Sequence, residues 1–314
     1  MQVSPQIRGR GQTKLRLPGR EPSMGSNVGF WARRWERSSV VDPIANRYSQ
    51  MPVRPVECAE TQAHTPLKLL SFNIQTGIKT SAYRQYLTKG WKHVLPHENR
   101  HKNMRRIANI VADYDLVALQ EVDGGSIRSG FVNQVEYLAE AAHFPYWYAQ
   151  LNRDLGPLAQ HGNGLLSRLA LSGLEDHKLP GAIPGRGAMI VRVPYAGDEL
   201  VVVMLHLSLG VRSRHQQLAY IAEQIEHERQ VIIMGDMNTH ASHLLEDSPL
   251  KELGLSIGEM PKPTYPAWQP AQALDHILVS PNLEVSEYEV LSHRVSDHLP
   301  IAIEVTAKSR PPLQ

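Results

Sequence analysis

Four stretches of this chain are apolar at nearly every position for the length of a strand and then stop on a polar or ionisable residue: LLSFN at Asn73, VALQE at Glu121, VVVMLH at His206 and VIIMGD at Asp236. A strand with one wetted face alternates apolar and polar side chains, so runs this continuous must be covered on both faces. Between them lie amphipathic segments. HKNMRRIANIVADY carries Met104, Ile107, Ile110 or Val111, and Tyr114 at helical spacing, directly before the strand-like DLVALQEV. The same reading predicts helices over 131–142, 212–228 and 243–253. It predicts strands near 67–74, 145–150, 163–171, 187–193, 200–208, 231–235, 275–280 and 301–306. Several neighbouring strands have no helix between them, so the sheets are expected to be mixed or antiparallel, not doubly wound parallel. No internal repeat is evident.

With 314 residues and 42% hydrophobic content the chain can bury a sizeable core. Its charge is uneven: ten Lys and Arg face five Asp and Glu in residues 1–66, against 23 and 26 in the remainder. Residues 1–66 are rich in Pro, Gly, Ser and Arg, show neither strand nor helix period, and are expected to be a disordered basic arm. Such an arm could touch anionic surfaces, act as a linker, or be translated upstream sequence, with Met24 and Met51 as alternative starts. Residues 67–314 form the expected catalytic domain, and their mild acidity argues against a broad surface tracking phosphate backbones. The lone Cys58 permits neither an intramolecular disulfide nor a Cys-based zinc site. No run is long and apolar enough for a signal-peptide core or a membrane span. A monomeric cytoplasmic protein is expected.

Strand ends on one side of a packed sheet converge, and ligands in α/β folds bind beyond such ends. Further polar residues join the four that close the apolar runs. Asn238 follows Asp236 in GDMN; Asn163 sits between two glycines in HGNGLLSR; PGRGAMIV brings Arg186 to a strand start, and ALDHILVS brings Asp275 to another. RVSDHLPIAIEV sets Asp297 and His298 side by side just before the last strand. A site gathering Glu121, Asp236, Asp275 and Asp297 would hold four carboxylates that repel one another unless a cation or a protonated histidine accompanies them. Hard oxygen ligands suit Mg²⁺ or Mn²⁺.

The ordered series SFNI, LQEV, HGNGLLSR, RGAMIV, LHLS, GDMN, LDHI and SDHLPI, spanning residues 71 to 301, resembles the endonuclease/exonuclease/phosphatase superfamily, including its uncharacterised bacterial members. The resemblance implies a four-layer α/β/β/α sandwich of two packed sheets flanked by helices, with a cleft at one edge. It implies metal ligation by Glu121, with Asn73 and Asp297 near the metal and its water shell. It also implies that Asp236 and Asn238 orient and deprotonate a water, that Asp275 holds His298, and that His298 stabilises the phosphoryl charge or acts as acid/base. His206 would be a general acid for the leaving oxygen, and Asn163 and Arg186 would contact the substrate phosphate. The function so implied is metal-dependent hydrolysis of a phosphodiester of nucleic acid, lipid headgroup or small molecule. The alternatives are an inositol- or nucleotide-type phosphomonoesterase and a silent phosphoester-binding protein.

Substrate is written less plainly. The stretch TYPAWQPAQALDHI lacks the Cys-Asp-Arg run that an inositol polyphosphate 5-phosphatase shows before the matching strand. The long segment 81–102, with Tyr83, Tyr86 and Trp91, reads equally as a loop contacting substrate or lipid headgroups and as an aromatic cap on the sheet. YPAWQP and HFPYWYAQ offer aromatics near or under the cleft, the second reading rather as a core strand.

Overall fold

The computed structural model describes residues 49–50, 65–77, 98–181 and 184–308, which all fall within one compact unit, Ser38–Gln314. In chain order its strands are β1 (Ser49–Gln50), β2 (Leu67–Asn73), β3 (Leu116–Asp123), β4 (Tyr146–Asp154), β5 (Gln160–Ser167) and β6 (Gly173–Lys178). They continue with β7 (Gly187–Tyr195), β8 (Asp198–His206), β9 (Gln230–Asp236), β10 (Asp275–Val279), β11 (Leu283–Val290) and β12 (Ile301–Ala307). The helices are α1 (Glu98–Val111), α2 (Gln134–Ala141), α3 (Val211–Ile225) and α4 (Ala241–Leu245).

One sheet has the order β1-β4-β5-β3-β2-β12-β11 and the other β10-β9-β8-β7-β6. Among the described residues, β2 with β3 and β8 with β9 pair in parallel and the other strand pairs are antiparallel. The continuous apolar runs are explained by three hydrophobic layers. Leu69, Leu116, Leu165, Met189, Met204 and Ile232 meet between the two sheets. Their neighbours Leu70, Val117 and Leu166 turn to the opposite face, where they pack with Met104 and Ile107 of α1 and Leu138 of α2. On the far side Ile190, Val203 and Ile233 are covered by Leu218, Ile221 and Ile225 of α3. The result is the four-layer α/β/β/α sandwich, with mixed sheets as expected.

Several boundaries differ from the sequence reading. The strand expected over 163–171 begins earlier, at Gln160, and ends at Ser167, whose hydroxyl turns to the Leu169 carbonyl at 2.7 Å. The helix expected over 243–253 is broken: α4 stops at Leu245, Ser248 takes up an extended conformation, and a 3-10 turn runs over Pro249–Leu253. Pro249 explains the break, because it lacks an N–H and disfavours helical backbone in the residue before it. Tyr114 lies past the end of α1. Strands β6 and β11 were absent from the sequence reading. Of the segment expected to be an arm, residues 1–48 and 51–64 lie outside the described residues; Ser49 and Gln50 pair along β4, and the Thr65 carbonyl accepts from the Tyr195 hydroxyl at 3.1 Å. Cys58, Met24, Met51 and the aromatic segment's Tyr83, Tyr86 and Trp91 lie outside the described residues as well.

Candidate active site

Strand register builds the site in two rows. In one sheet, His206 of β8 stands opposite Asp236 of β9, and Asp236 opposite Asp275 of β10. In the other, Asn73 of β2 pairs with Gln120 of β3, and Gln120 with Asn163 of β5. Glu121 sits at a β-bulge next to that row, with φ of 55°, a conformation that costs a residue with a Cβ and re-aims its side chain out of the ladder. Contacts between β2, β3 and β9 bring the two rows together.

The centre of the arrangement is a chain of polar contacts that is almost wholly buried. Asn73 Nδ2 donates to Asp236 Oδ2 at 3.1 Å, while Asn73 Oδ1 accepts from the Gln75 backbone N–H at 3.1 Å. The other Asp236 oxygen accepts from the Asn238 backbone N–H at 3.0 Å, and the Asn238 side chain donates to the Leu207 carbonyl at 2.9 Å. His206 Nε2 and His298 Nε2 lie 3.4 Å and 3.8 Å from Asp236 Oδ2. His298 Nδ1 lies 2.8 Å from Asp275 Oδ2. That same oxygen accepts from the Thr264 hydroxyl at 2.5 Å, and the Tyr265 ring lies against the His298 ring with centroids 4.8 Å apart. Asp297, 5% exposed, accepts from the Ser296 hydroxyl at 3.2 Å.

The two histidines are driven in opposite directions. Burial pulls His206 down to about 3; Asp236 opposes this, while Arg186 and His298 reinforce it, so the ring is neutral at neutral pH. Burial would lower His298 too, but the carboxylates of Asp275, Asp236 and Asp297 outweigh it and hold the imidazole well above its ordinary value. Burial raises Asp297 to about 6; His298 opposes the rise and Glu121 adds to it. Arg186 is lowered by burial and pushed back up by Glu121 and Asp236, and a guanidinium remains charged at neutral pH.

Glu121, Asn163, Arg186 and His206 line a cleft of about 400 Å³ together with Arg153, His161, Ser208 and Leu209. Close approach of neighbouring groups at its wall, backbone in one case and side chain in the other, accounts for two glycines of the motifs. A Cβ on Gly162 would stand 1.9 Å from the Gln150 carbonyl oxygen, and one on Gly187 would stand 2.6 Å from Gln150 Oε1. The Asn163 amide, 2% exposed, donates to Gln150 Oε1 at 2.9 Å and to the Gly187 carbonyl at 3.1 Å. Gln150 in turn donates to Asp176 at 2.6 Å and to the Ala188 carbonyl at 2.9 Å. Asn163 is thus tied into the wall, its amide N–H groups committed inward.

All ten residues named from the sequence lie at this one edge of the sandwich. Sequence reasoning missed Thr264 and Gln150, and it noted the aromatics of YPAWQP near the cleft without giving Tyr265 a role. Thr264 directly precedes that tract in a loop, and Gln150 closes a tract whose aromatics alone were weighed.

The residues suit a hard cation on the side of Glu121 and Asp297. Asp297 is raised first by its burial and further by the Glu121 carboxylate, and the Asn73 amide oxygen keeps a second lone pair beyond its Gln75 bond. Asp236, Asp275 and His298 also offer ligand atoms within 4.8 Å of one another. That group is already closed by the His298–Asp275 and Thr264–Asp275 hydrogen bonds, and an ion would have to replace them.

Two mixed sheets packed face to face under helices, with acidic, amide and imidazole groups at one edge, define the class of sandwich-fold phosphoesterases. The family model for the Endonuclease/Exonuclease/phosphatase family matches residues 70–298. The chain belongs to that family, whose members are hydrolases acting on phosphoesters. The uncharacterized protein YbhP of Escherichia coli (strain K12) is 30% identical over 213 residues, covering 61% of this chain and 83% of that protein. Among solved structures, the endonuclease/exonuclease/phosphatase from Beutenbergia cavernae superposes with a TM-score of 0.62 at 20% identity, covering 79% of this chain and 73% of that one. The mannosyl-6-phosphatase Bt3783 of Bacteroides thetaiotaomicron gives 0.56 at 18%, covering 76% and 99%. At these identities the solved structures speak for the fold alone.

Proposed function

We propose that this protein hydrolyses a phosphodiester by in-line attack of an activated water, with Mg²⁺ or Mn²⁺ held by Glu121 and Asp297 and touched by Asn73. The observation that carries the reading is the charge separation between neighbouring groups: a cationic His298 stands 3.8 Å from a buried Asp236 carboxylate, beside a cleft floored by Glu121 and Arg186. In-line phosphoryl transfer needs fixed positive charge around the phosphoryl oxygens and a positioned water, and requires no protein nucleophile.

In this mechanism Asp236 accepts the proton of the attacking water. Its two oxygens are fixed from opposite sides by Asn73 and the Asn238 N–H, which aims the carboxylate. The water oxygen forms its bond to phosphorus as the bond to the leaving oxygen breaks, and that oxygen takes a proton from water in the open cleft. The His298 imidazolium, held by Asp275, balances the charge on a non-bridging oxygen, and Arg186 balances another. Neutral His206 lies 3.4 Å from Asp236 Oδ2 and is given no proton to transfer in this scheme. When bound, the metal supplies Lewis-acid charge toward the phosphate and leaving oxygen.

The test is hydrolysis of bis-p-nitrophenyl phosphate in Mn²⁺. Glu121→Gln should lower kcat/KM by about 100-fold or more while melting normally; His298→Ala should lower it as much and also melt lower, because it leaves the buried Asp275 without its charged partner. EDTA should abolish turnover and added Mn²⁺ restore it. Full activity in chelator, or in either variant, refutes the mechanism.

A further inference from the structure

Six large hydrophobic side chains are exposed among the described residues: Phe131, Leu155, Leu158, Leu209, Val211 and Met260. Scattered exposed apolar residues are ordinary, but these are not scattered. Phe131 lies on the loop that follows β3 and its Glu121. Leu155 and Leu158 form the tip of the β4–β5 hairpin, and Leu209 and Val211 bracket the turn after β8 and its His206. The three segments adjoin one another. The Ile127 N–H bonds the Pro157 carbonyl at 2.7 Å and the Gly124 N–H the Gln160 carbonyl at 3.0 Å, and Arg153 and His161 from the hairpin line the same cleft as Leu209 and Gly210. Only Met260 lies elsewhere, on the connection whose Ser256 pairs with Val279 at the far end of β10.

The loops are tied by hydrogen bonds of their own. The buried Asp123 carboxylate accepts from the Gly125 and Ser126 N–H groups at 2.9 and 2.8 Å and from the Ser129 hydroxyl at 2.9 Å. On this base Phe131 stands 69% exposed, with φ of 64°. In the hairpin, Asp154 accepts from the Gly156 N–H at 2.8 Å and the Leu155 N–H bonds the Ala159 carbonyl at 2.9 Å. Arg214 Nη1 donates to the Leu209 carbonyl. Strained, well-anchored backbone that presents apolar side chains to water implies a partner that buries them. Exposed Arg153 and Arg212 stand among them, with exposed Asp154 at the hairpin tip, on a domain that is otherwise mildly acidic.

From this we infer that the cleft mouth docks on an anionic phospholipid bilayer. Separate loop tips bearing single aliphatic or aromatic side chains can each enter the boundary between headgroups and acyl chains, while the arginines meet anionic headgroups.

The experiment is flotation of the full chain with phosphatidylcholine vesicles and with vesicles also containing phosphatidylserine. A parallel assay follows bis-p-nitrophenyl phosphate hydrolysis, and melting temperature reports folding. Wild type should float with the phosphatidylserine vesicles, and salt should weaken this. The variant Leu155→Ser/Leu158→Ser/Val211→Ser should bind at least about tenfold more weakly, with soluble turnover and melting unchanged; Met260→Ser should bind as wild type. Binding that survives the triple variant, or no binding by wild type, overturns the docking face. Failure to bind vesicles combined with triple-variant-sensitive binding of a DNA oligonucleotide overturns it in favour of nucleic acid. Vesicle binding without hydrolysis of any phosphoester would leave the face standing and refute the hydrolase reading instead.

Discussion

The Thr264 hydroxyl shares Asp275 Oδ2 with the His298 ring, at 2.5 Å and 2.8 Å, and Thr264 is fully buried. Thr264→Val keeps the shape and removes only the hydroxyl, so no cavity term enters. The carboxylate loses a hydrogen bond to a charged acceptor, a loss of roughly 1.5–3 kcal/mol, and no water can replace the donor at 0% exposure. For a domain of this size that corresponds to a fall in melting temperature of roughly 3–12 °C. Asp275 then has one donor fewer and binds the His298 proton more tightly, so the alkaline limb of the kcat/KM profile should move to higher pH. Aim is lost as well as stability: Tyr265, against the His298 ring, follows Thr264 in the chain, and kcat should fall by about ten- to a hundredfold, the same energy expressed in the transition state. Thr264→Ser should restore both readouts, since it returns the donor. Calorimetry and pH-dependent kinetics in Mn²⁺ measure them. A Val variant with unchanged kcat and an unmoved alkaline limb would refute the idea that this hydroxyl sets the Asp275–His298 pair.

Gly162→Ala should destabilise the protein by several kcal/mol and cut activity, because its Cβ would meet a backbone carbonyl at 1.9 Å and must part β4 from β5 beside Asn163; chemical denaturation is the check, and a loss below about 1 kcal/mol would contradict the packing. The depressed His206 gives a pH prediction in chelated protein. Between 6.5 and about 3 the unfolded chain binds a proton that the folded ring refuses, so stability falls as pH drops through that window. His206→Asn should flatten this acid slope, and an unchanged slope would mean that the ring is not held neutral.

How much of this was legible in the chain depends on what each residue's surroundings demand. The central strands β2, β3, β8 and β9 were plain because both faces of each sheet are covered, which forces apolar residues at consecutive positions, Leu69 inward and Leu70 outward. The strands β6 (GLEDHK) and β11 (LEVSEYEV) lie at sheet edges, one face or one flank in water, and β11 is bulged near Ser286. Charged residues discourage edge-to-edge pairing there and at the same time erase the apolar signal. The site was legible for a related reason: a carboxylate or imidazole that closes an apolar run, as Glu121, His206 and Asp236 do, is out of keeping with its neighbours. Thr264 and Gln150 carry no such contrast. A threonine in a loop and a glutamine in a strand are unremarkable types, and their importance lies in which buried oxygen they meet across 11 or 13 residues of sequence. Local pattern identifies the groups that bear charge; only the folded register identifies those that hold the charge in place, and it is on those that the geometry of the His298–Asp275–Thr264 chain depends.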